Sequence, residues 1–290
     1  MFTRKTNYPM RFLIIGIFIF ISSCSGKKKS TFSETIISEK DNRVDNSVLK
    51  SLVDSFDVNG SILIYDSKQA VYYSNDFEWA ETGNLPASTF KIPNSIIGIE
   101  TGIIANDSTV FIWDGEERWS KQWEKDLPFR EAFHLSCVPC YQELARKIGV
   151  QRMNNWIEKF DYGRISVDQN TIDNFWLTGN SRISQMEQIS FLKRYYNSDL
   201  PISKRTENIT KHLMIVDQTD EYVLSGKTGL SNENNQYNGW FVGYLELKQN
   251  TFFFATNIEP KDVDGQYGFN NKRKEITLNA LEEITQIRIN

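Results

Sequence analysis

The chain reads as an α+β domain: an antiparallel β-sheet covered by terminal helices and flanked by a helical lobe. Two patterns predict this. Strand-like runs lie near both ends, at about 58–65 and 69–74 and again at 220–227, 237–247 and 251–257, with short Asn- and Gly-containing turns joining the last three. Between them, residues 88–213 are mostly helical in pattern, and a terminal helix is expected from about 272, so helices interrupt the sheet. A chain of 290 residues with 40% hydrophobic and 13% aromatic content can bury a large core. With 33 Lys plus Arg against 37 Asp plus Glu, the net charge of -4 leaves no basic surplus for nucleic acid.

The N-terminus carries an address. Arg4, Lys5 and Arg11 precede the apolar run 12–21, which is too short to span a bilayer and fits the core of a signal peptide. Ile21-Ser22-Ser23-Cys24 then fits a bacterial lipobox, with Cys24 the lipidated first residue after cleavage. Residues 25–45 are polar, include Lys27, Lys28 and Lys29, and lack apolar periodicity, as a tether would. The expected organisation is a signal peptide at 1–23, a lipidated Cys and tether at 24–45, and a catalytic domain at 46–290. An exported, periplasmic lipoprotein held to a membrane through its lipid follows from that reading.

The next punctuation is chemical. Ser-x-x-Lys occurs four times, from Ser25, Ser47, Ser88 and Ser190, so the spacing alone says little. At Ser88 the context is different: Pro86 precedes it and IPNSIIGIE reads as the start of an apolar helix ending near Gly102. Residues three apart on a helix are neighbours, so the Lys91 amine can reach the Ser88 hydroxyl as a candidate base beside a nucleophile. Further along come Ser136-Cys137-Val138, where Ser136 could cap the following helix and Pro139 fits its first turn, and then Lys227-Thr228-Gly229 in the strand-like EYVLSGKTG. Gly229 there would admit close approach of a substrate backbone. Ser-x-x-Lys, a second serine and Lys-Thr-Gly in this order form the kit of a penicillin-recognising serine acyl-transferase.

The run PASTFKIPNSIIGIE resembles the class D, or oxacillinase-type, serine β-lactamases. The likeness continues through SCVPCYQELARKIG, FDYG, IDNFWLTGNSRIS, LSGKTGL, NGWFVGYLE, FFFATNIE and KRKEIT, over roughly residues 56–289. It implies the fold shared by serine β-lactamases and penicillin-binding transpeptidases, and hydrolysis of β-lactam antibiotics through an acyl-serine intermediate. An ordinary lysine, with a pKa of about 10.4, is a poor base at neutral pH, and burial among Phe90, Val138, Trp176 and Leu177 would favour its neutral amine. The resemblance implies that Lys91 then captures carbon dioxide, or bicarbonate as its source, to become an N-carboxylated general base. Trp176 would donate a hydrogen bond to that carbamate, and Val138 would support it. Ser136 would relay a proton to the leaving lactam nitrogen with help from Lys227. Backbone N–H groups of Ser88 and Leu230 would form the oxyanion hole; Thr228 and Arg273 would hold the substrate carboxylate, with Gly229 and Leu177 also facing substrate.

Other readings are weaker. GKT mimics the end of a P-loop, but the first glycine of that motif would fall at Glu221. Cys137 and Cys140 cannot complete a zinc site, and His134 and His212 are the only histidines, so no metal is expected and both histidines read as structural. Whether the two cysteines are thiols or a disulfide stays open. The family's usual Tyr-Gly-Asn is here Tyr162-Gly163-Arg164, followed by a stretch that is one residue longer, so the loop carrying Trp176 can differ in shape. A sensor that stays acylated is the alternative to an enzyme, and a cell-wall transpeptidase is a third reading. Substrate range and oligomeric state are left open.

Overall fold

Strands with apolar residues on both faces must be covered on both, and the central runs of β-strand near the C-terminus, such as WFVGYL and FFFA, are of that kind. The computed structural model describes residues 42–261 and 268–289. β1 (Arg43–Asp45) and α1 (Ser47–Ser55) lead into the hairpin of β2 (Val58–Asp66) and β3 (Val71–Ser74), which is followed by α2 (Phe77–Glu81). A 3-10 turn, Ala87–Phe90, runs directly into α3 (Lys91–Glu100). The two-residue strands β4 (Val110–Phe111) and β5 (Leu127–Pro128) pair beside α4 (Phe129–His134), and α5 (Val138–Ile148) and α6 (Val150–Phe160) follow. After a long connection come α7 (Gln185–Tyr196), α8 (Lys204–Met214), β6 (Ile215–Gln218), β7 (Tyr222–Glu233), β8 (Gln236–Leu247), β9 (Asn250–Pro260) and α9 (Phe269–Thr285).

The sheet order is β1-β3-β2-β9-β8-β7-β6, and every neighbouring pair is antiparallel except β1 with β3. Alternation along the strands divides the core in two. Phe241 and Leu245 of β8 join Leu49 and Val53 of α1 and Ile276 and Leu281 of α9 on one face. Trp240, Val242 and Tyr244 join the helical lobe on the other. Fully burying one such aromatic or aliphatic side chain contributes about 1.5–3 kcal/mol, so the two faces together hold the lobe and the terminal helices to one sheet.

The predicted class is therefore the observed one, with differences in detail. The hairpin of β7 and β8 is longer than expected because Asn234 and Asn235 adopt φ of 54° and 63°, the left-handed pair that a two-residue turn matched to strand twist requires. The domain also reaches back into the stretch expected to be tether. β1 has no apolar period to announce it; it is fixed by polar contacts, including Asn42 Nδ2 to the Ala70 carbonyl at 2.8 Å and Arg43 to Glu81 at 2.7 Å. The expected signal peptide and Cys24 lie outside the described residues.

Candidate active site

The segment that carries the serine is bent before it becomes helical. Ala87 has φ of 50° and its N–H donates to the Trp176 carbonyl at 2.7 Å, while Thr89 Oγ1 donates to the Pro86 carbonyl at 2.6 Å. A left-handed non-glycine residue costs roughly 1–2 kcal/mol and persists only where its surroundings hold it. Here those surroundings include Gln188 Nε2, which donates to Thr89 Oγ1 at 2.9 Å, with Tyr162 OH donating to Gln188 Oε1 at 3.1 Å. Ser88 consequently sits in the 3-10 turn, and α3 begins at Lys91.

The i to i+3 spacing does what the sequence predicts: Lys91 Nζ lies 3.1 Å from Ser88 Oγ. Lys91 is only 1% exposed, and burial brings its pKa down from 10.5 to about 7. The ammonium faces the Tyr141 ring at 4.9 Å, and no carboxylate pairs with it among the described residues. Near neutral pH roughly half of such amines are uncharged. Of the residues expected to surround it, Phe90 and Trp176 are buried and stacked at 6.2 Å, and Val138 and Leu177 pack partly buried against the same core cluster. The Trp176 indole N–H is buried and has no acceptor among the described residues. A buried donor left unpaired costs about 1–3 kcal/mol, which marks this atom as waiting for an acceptor.

A second serine–lysine pair closes the site. Lys227 Nζ donates to Ser136 Oγ and, at 2.9 Å, to the Thr228 carbonyl. Its pKa falls well below the ordinary lysine value, first through burial and then through the nearby cations Lys91 and Arg273. Ser136 does not cap α5 as expected. Cys137 is the cap, its Sγ accepting from the Cys140 N–H at 3.3 Å, and Ser136 stands just outside with φ of 53°. Cys137 and Cys140 form a disulfide, which settles the alternative left open by their spacing.

Register on β7 sets what each residue faces. Gly229 pairs with Trp240, and a Cβ there would lie 3.1 Å from Thr89 Cγ2, 3.2 Å from the Pro86 carbonyl and 3.3 Å from Ala87 Cβ. The glycine's close neighbour is therefore the serine-bearing turn rather than empty space for substrate, and Leu230 follows at once alongside it. Gly239, paired with Leu230, does the same for α9: a Cβ there would meet the Phe269 ring at 3.0 Å and Arg273 Cδ at 3.5 Å. Arg273 Nη1 donates to Asn270 Oδ1 at 3.4 Å, and burial lowers its pKa to about 10. A cavity of about 180 Å³ is lined by Thr228, Lys227, His134 and Lys274.

The loop carrying Trp176 and Leu177 is tied at both ends. Arg164 and Arg182 exchange two backbone hydrogen bonds of 2.8 Å, and Gly163, at φ of 62°, would place a Cβ 2.8 Å from the Arg182 carbonyl. The unusual Arg164 thus occupies a backbone bridge. Glu233 at the hairpin tip accepts from the Gly179 N–H at 2.7 Å. Neither Glu233 nor Tyr141 was singled out in the sequence, because each acts on the site across a fold contact that no local spacing encodes. Among the described residues no cluster of three His, Cys, Asp or Glu could hold a metal.

A family model described as the penicillin binding protein transpeptidase domain matches residues 56–282. The chain is 42% identical over 212 residues to β-lactamase OXA-10 of Pseudomonas aeruginosa, covering 72% of this chain and 78% of that relative. It is 39% identical over 206 residues to β-lactamase OXA-48 of Klebsiella pneumoniae, covering 71% and 77%. The solved class D β-lactamase from Sebaldella termitidis superposes with a TM-score of 0.81 at 35% identity, over 85% of this chain and 99% of that one.

Proposed function

The chain belongs to the class D serine β-lactamases, and from that premise we propose that it opens β-lactam antibiotics with Ser88 as nucleophile and a carboxylated Lys91 as general base. The observation that carries the reading is the 3.1 Å contact between Ser88 Oγ and a buried amine brought to a pKa of about 7. A neutral amine attacks carbon dioxide and releases one proton to give a carbamate, so carbon dioxide or bicarbonate is the one co-reactant implied. The buried Trp176 N–H, which has no acceptor among the described residues, supports an anionic group on Lys91 as its acceptor. When present, the carbamate supplies a base strong enough to take the proton from Ser88 for acylation and from water for deacylation.

The chain's own groups account for the remaining steps. Ser88 Oγ bonds to the lactam carbonyl carbon, and the N–H groups of Ser88 and Leu230 are the donors for the oxyanion that develops. As the carbon–nitrogen bond breaks, the nitrogen takes a proton from Ser136, which regains one from the ammonium form of Lys227, the side chain that touches it. The substrate carboxylate is held by Thr228 and by the guanidinium of Arg273, which can grip it with two hydrogen bonds. Leu177 forms the neighbouring wall, and Gly229 lets β7 pack against the turn that carries Ser88.

The same reading extends to the N-terminus: an exported, periplasmic lipoprotein anchored through Cys24, conferring resistance to β-lactams. No helix among the described residues is long and apolar enough to cross a membrane. Excess penicillin with bicarbonate tests the enzymatic reading. Sustained turnover is expected from the wild type, whereas one stoichiometric burst would identify an acylated sensor instead. Ser88→Ala should neither turn over nor gain the mass of penicillin while keeping its fold, since one hydroxyl is lost; a labelled Ala variant would move the nucleophile elsewhere.

A further inference from the structure

Ser136 holds a left-handed backbone conformation, φ of 53°, that a residue with a side chain adopts only under constraint. The constraint is local. Its N–H donates to the Phe133 carbonyl at 3.1 Å, and the next N–H, from Cys137, donates to the Ala132 carbonyl at 2.9 Å. From Cys137 onward the chain enters α5, and there the cap residue is bonded covalently to the third residue of the helix by the Cys137–Cys140 disulfide. Ser136 is thus pinned between the end of α4 and a cross-linked first turn of α5, with its Oγ against Lys227 Nζ.

We propose that the Cys137–Cys140 disulfide is a positioning element for acylation: it fixes the backbone that aims Ser136 Oγ at Lys227, and its reduction slows that step. The proposal rests on the reading of Ser136 as the proton relay. It concerns acylation in particular, because deacylation draws on the base at Lys91, which lies on α3 and is held by other contacts. Cys140 is 8% exposed and Cys137 1%, and a cavity of about 150 Å³ lined by both, with Pro139 and Gln142, gives a small dithiol access. In the reduction, the dithiol is oxidised to its cyclic disulfide and its two protons end on Cys137 Sγ and Cys140 Sγ.

The experiment separates acylation from deacylation in the full-length protein. Folded wild type is treated with a dithiol, alkylation at Cys137 and Cys140 is confirmed by peptide mass, and single-turnover penicillin acylation is followed by quench and intact mass. Cys140→Ala and Ser136→Ala are run beside it, all well below their melting temperatures. The expected result is acylation slowed on the order of tenfold or more by reduction and by Cys140→Ala, with the acyl-enzyme hydrolysed at the wild-type rate. Reoxidation of a reduced, unalkylated sample should restore acylation. A role in stability alone would lower the melting temperature and leave the acylation rate of the folded protein unchanged, which would overturn the proposal. If Ser136→Ala acylates like the wild type, the relay reading falls and the proposal with it; if Ser136→Ala is slow but reduction has no effect, the proposal alone falls.

Discussion

Trp176 and Ala87 are joined through the backbone, the Trp176 carbonyl accepting from the Ala87 N–H at 2.7 Å, so the residue whose indole N–H has no acceptor among the described residues also holds the turn that presents Ser88. One side chain can then be altered at its ring nitrogen without touching its backbone contact. That separation makes the base testable.

Trp176→Phe keeps an aromatic ring in the core and removes the donor. Activity should fall roughly ten- to hundredfold, for a lost hydrogen bond to a charged group worth about 1.5–3 kcal/mol. With carbon-13 bicarbonate the wild type should show a lysine carbamate signal that Lys91→Ala lacks and Trp176→Phe weakens. A fully active wild type without that signal after carbon dioxide has been stripped away would leave an unmodified Lys91 as the base.

Activity should decline as pH falls through about 7, where the Lys91 amine gains a proton and can neither accept one from Ser88 nor capture carbon dioxide. Added bicarbonate should restore part of the loss at mildly acidic pH by returning the lysine to its modified state. Rates measured from pH 5 to 8, with and without bicarbonate, check this; identical profiles would count against a carbamate.

Stability should also rise with pH through the same lysine, although removing the lysine should raise stability while it abolishes activity. Its folded pKa is about 7 against an ordinary 10.5, so burial of the cation is fully unfavourable below about 7 and is relieved as pH rises from there toward 10.5, where the unfolded chain holds the extra proton. With carbon dioxide removed, Lys91→Met should be inactive yet more stable at pH 7, by a few kcal/mol, and the gain should shrink toward pH 10. Denaturant melts at the two pH values give the answer. A less stable Met variant at pH 7 would mean that the amine is better solvated than its burial indicates.

Gly229→Ala should damage the enzyme through the turn that carries Ser88, because the atoms nearest the added methyl group belong to Pro86, Ala87 and Thr89. The added methyl group would press on the Pro86 carbonyl and Ala87 at 3.2 and 3.3 Å, so the turn must give by a few tenths of an ångström. Acylation should slow by roughly ten- to hundredfold, with a stability loss of about 1–3 kcal/mol from overpacking. Wild-type acylation by a folded Ala variant would show that the turn yields freely.

Cys24→Ala tests the proposed anchor. The variant should leave the membrane fraction or fail to mature, with the soluble domain's chemistry unchanged, because a lipid chain on that sulfur is the attachment proposed. Unchanged membrane partition and lipid labelling would remove the lipoprotein reading.

Ser88 with Lys91 was legible because a spacing of three on a helical path fixes a distance regardless of the rest of the fold, and the 3.1 Å contact follows from it. The three strands from Tyr222 to Pro260 were legible for a similar reason, since apolar runs of that length separated by short turns have few other uses. β1 was not, because three residues with no apolar period are placed by their partner strand and by contacts with residues distant in the chain, such as Arg43 with Glu81. The cap of α5 was assigned to Ser136 on residue type, whereas the chain turned one residue later and gave the position to Cys137.

By itself, then, the sequence determined the order of elements, the serine–lysine pair and the motifs that identify the family, all of them set by separations of a few residues. Tertiary structure alone decided the state of the site. Lys91 loses its charge near neutral pH because Tyr141 and the surrounding core exclude water from it, and Lys227 reaches Ser136 across 91 residues of chain because β7 docks beside the end of α4. Desolvation and long-range contact are properties of a packed volume, and no local pattern of residues specifies them.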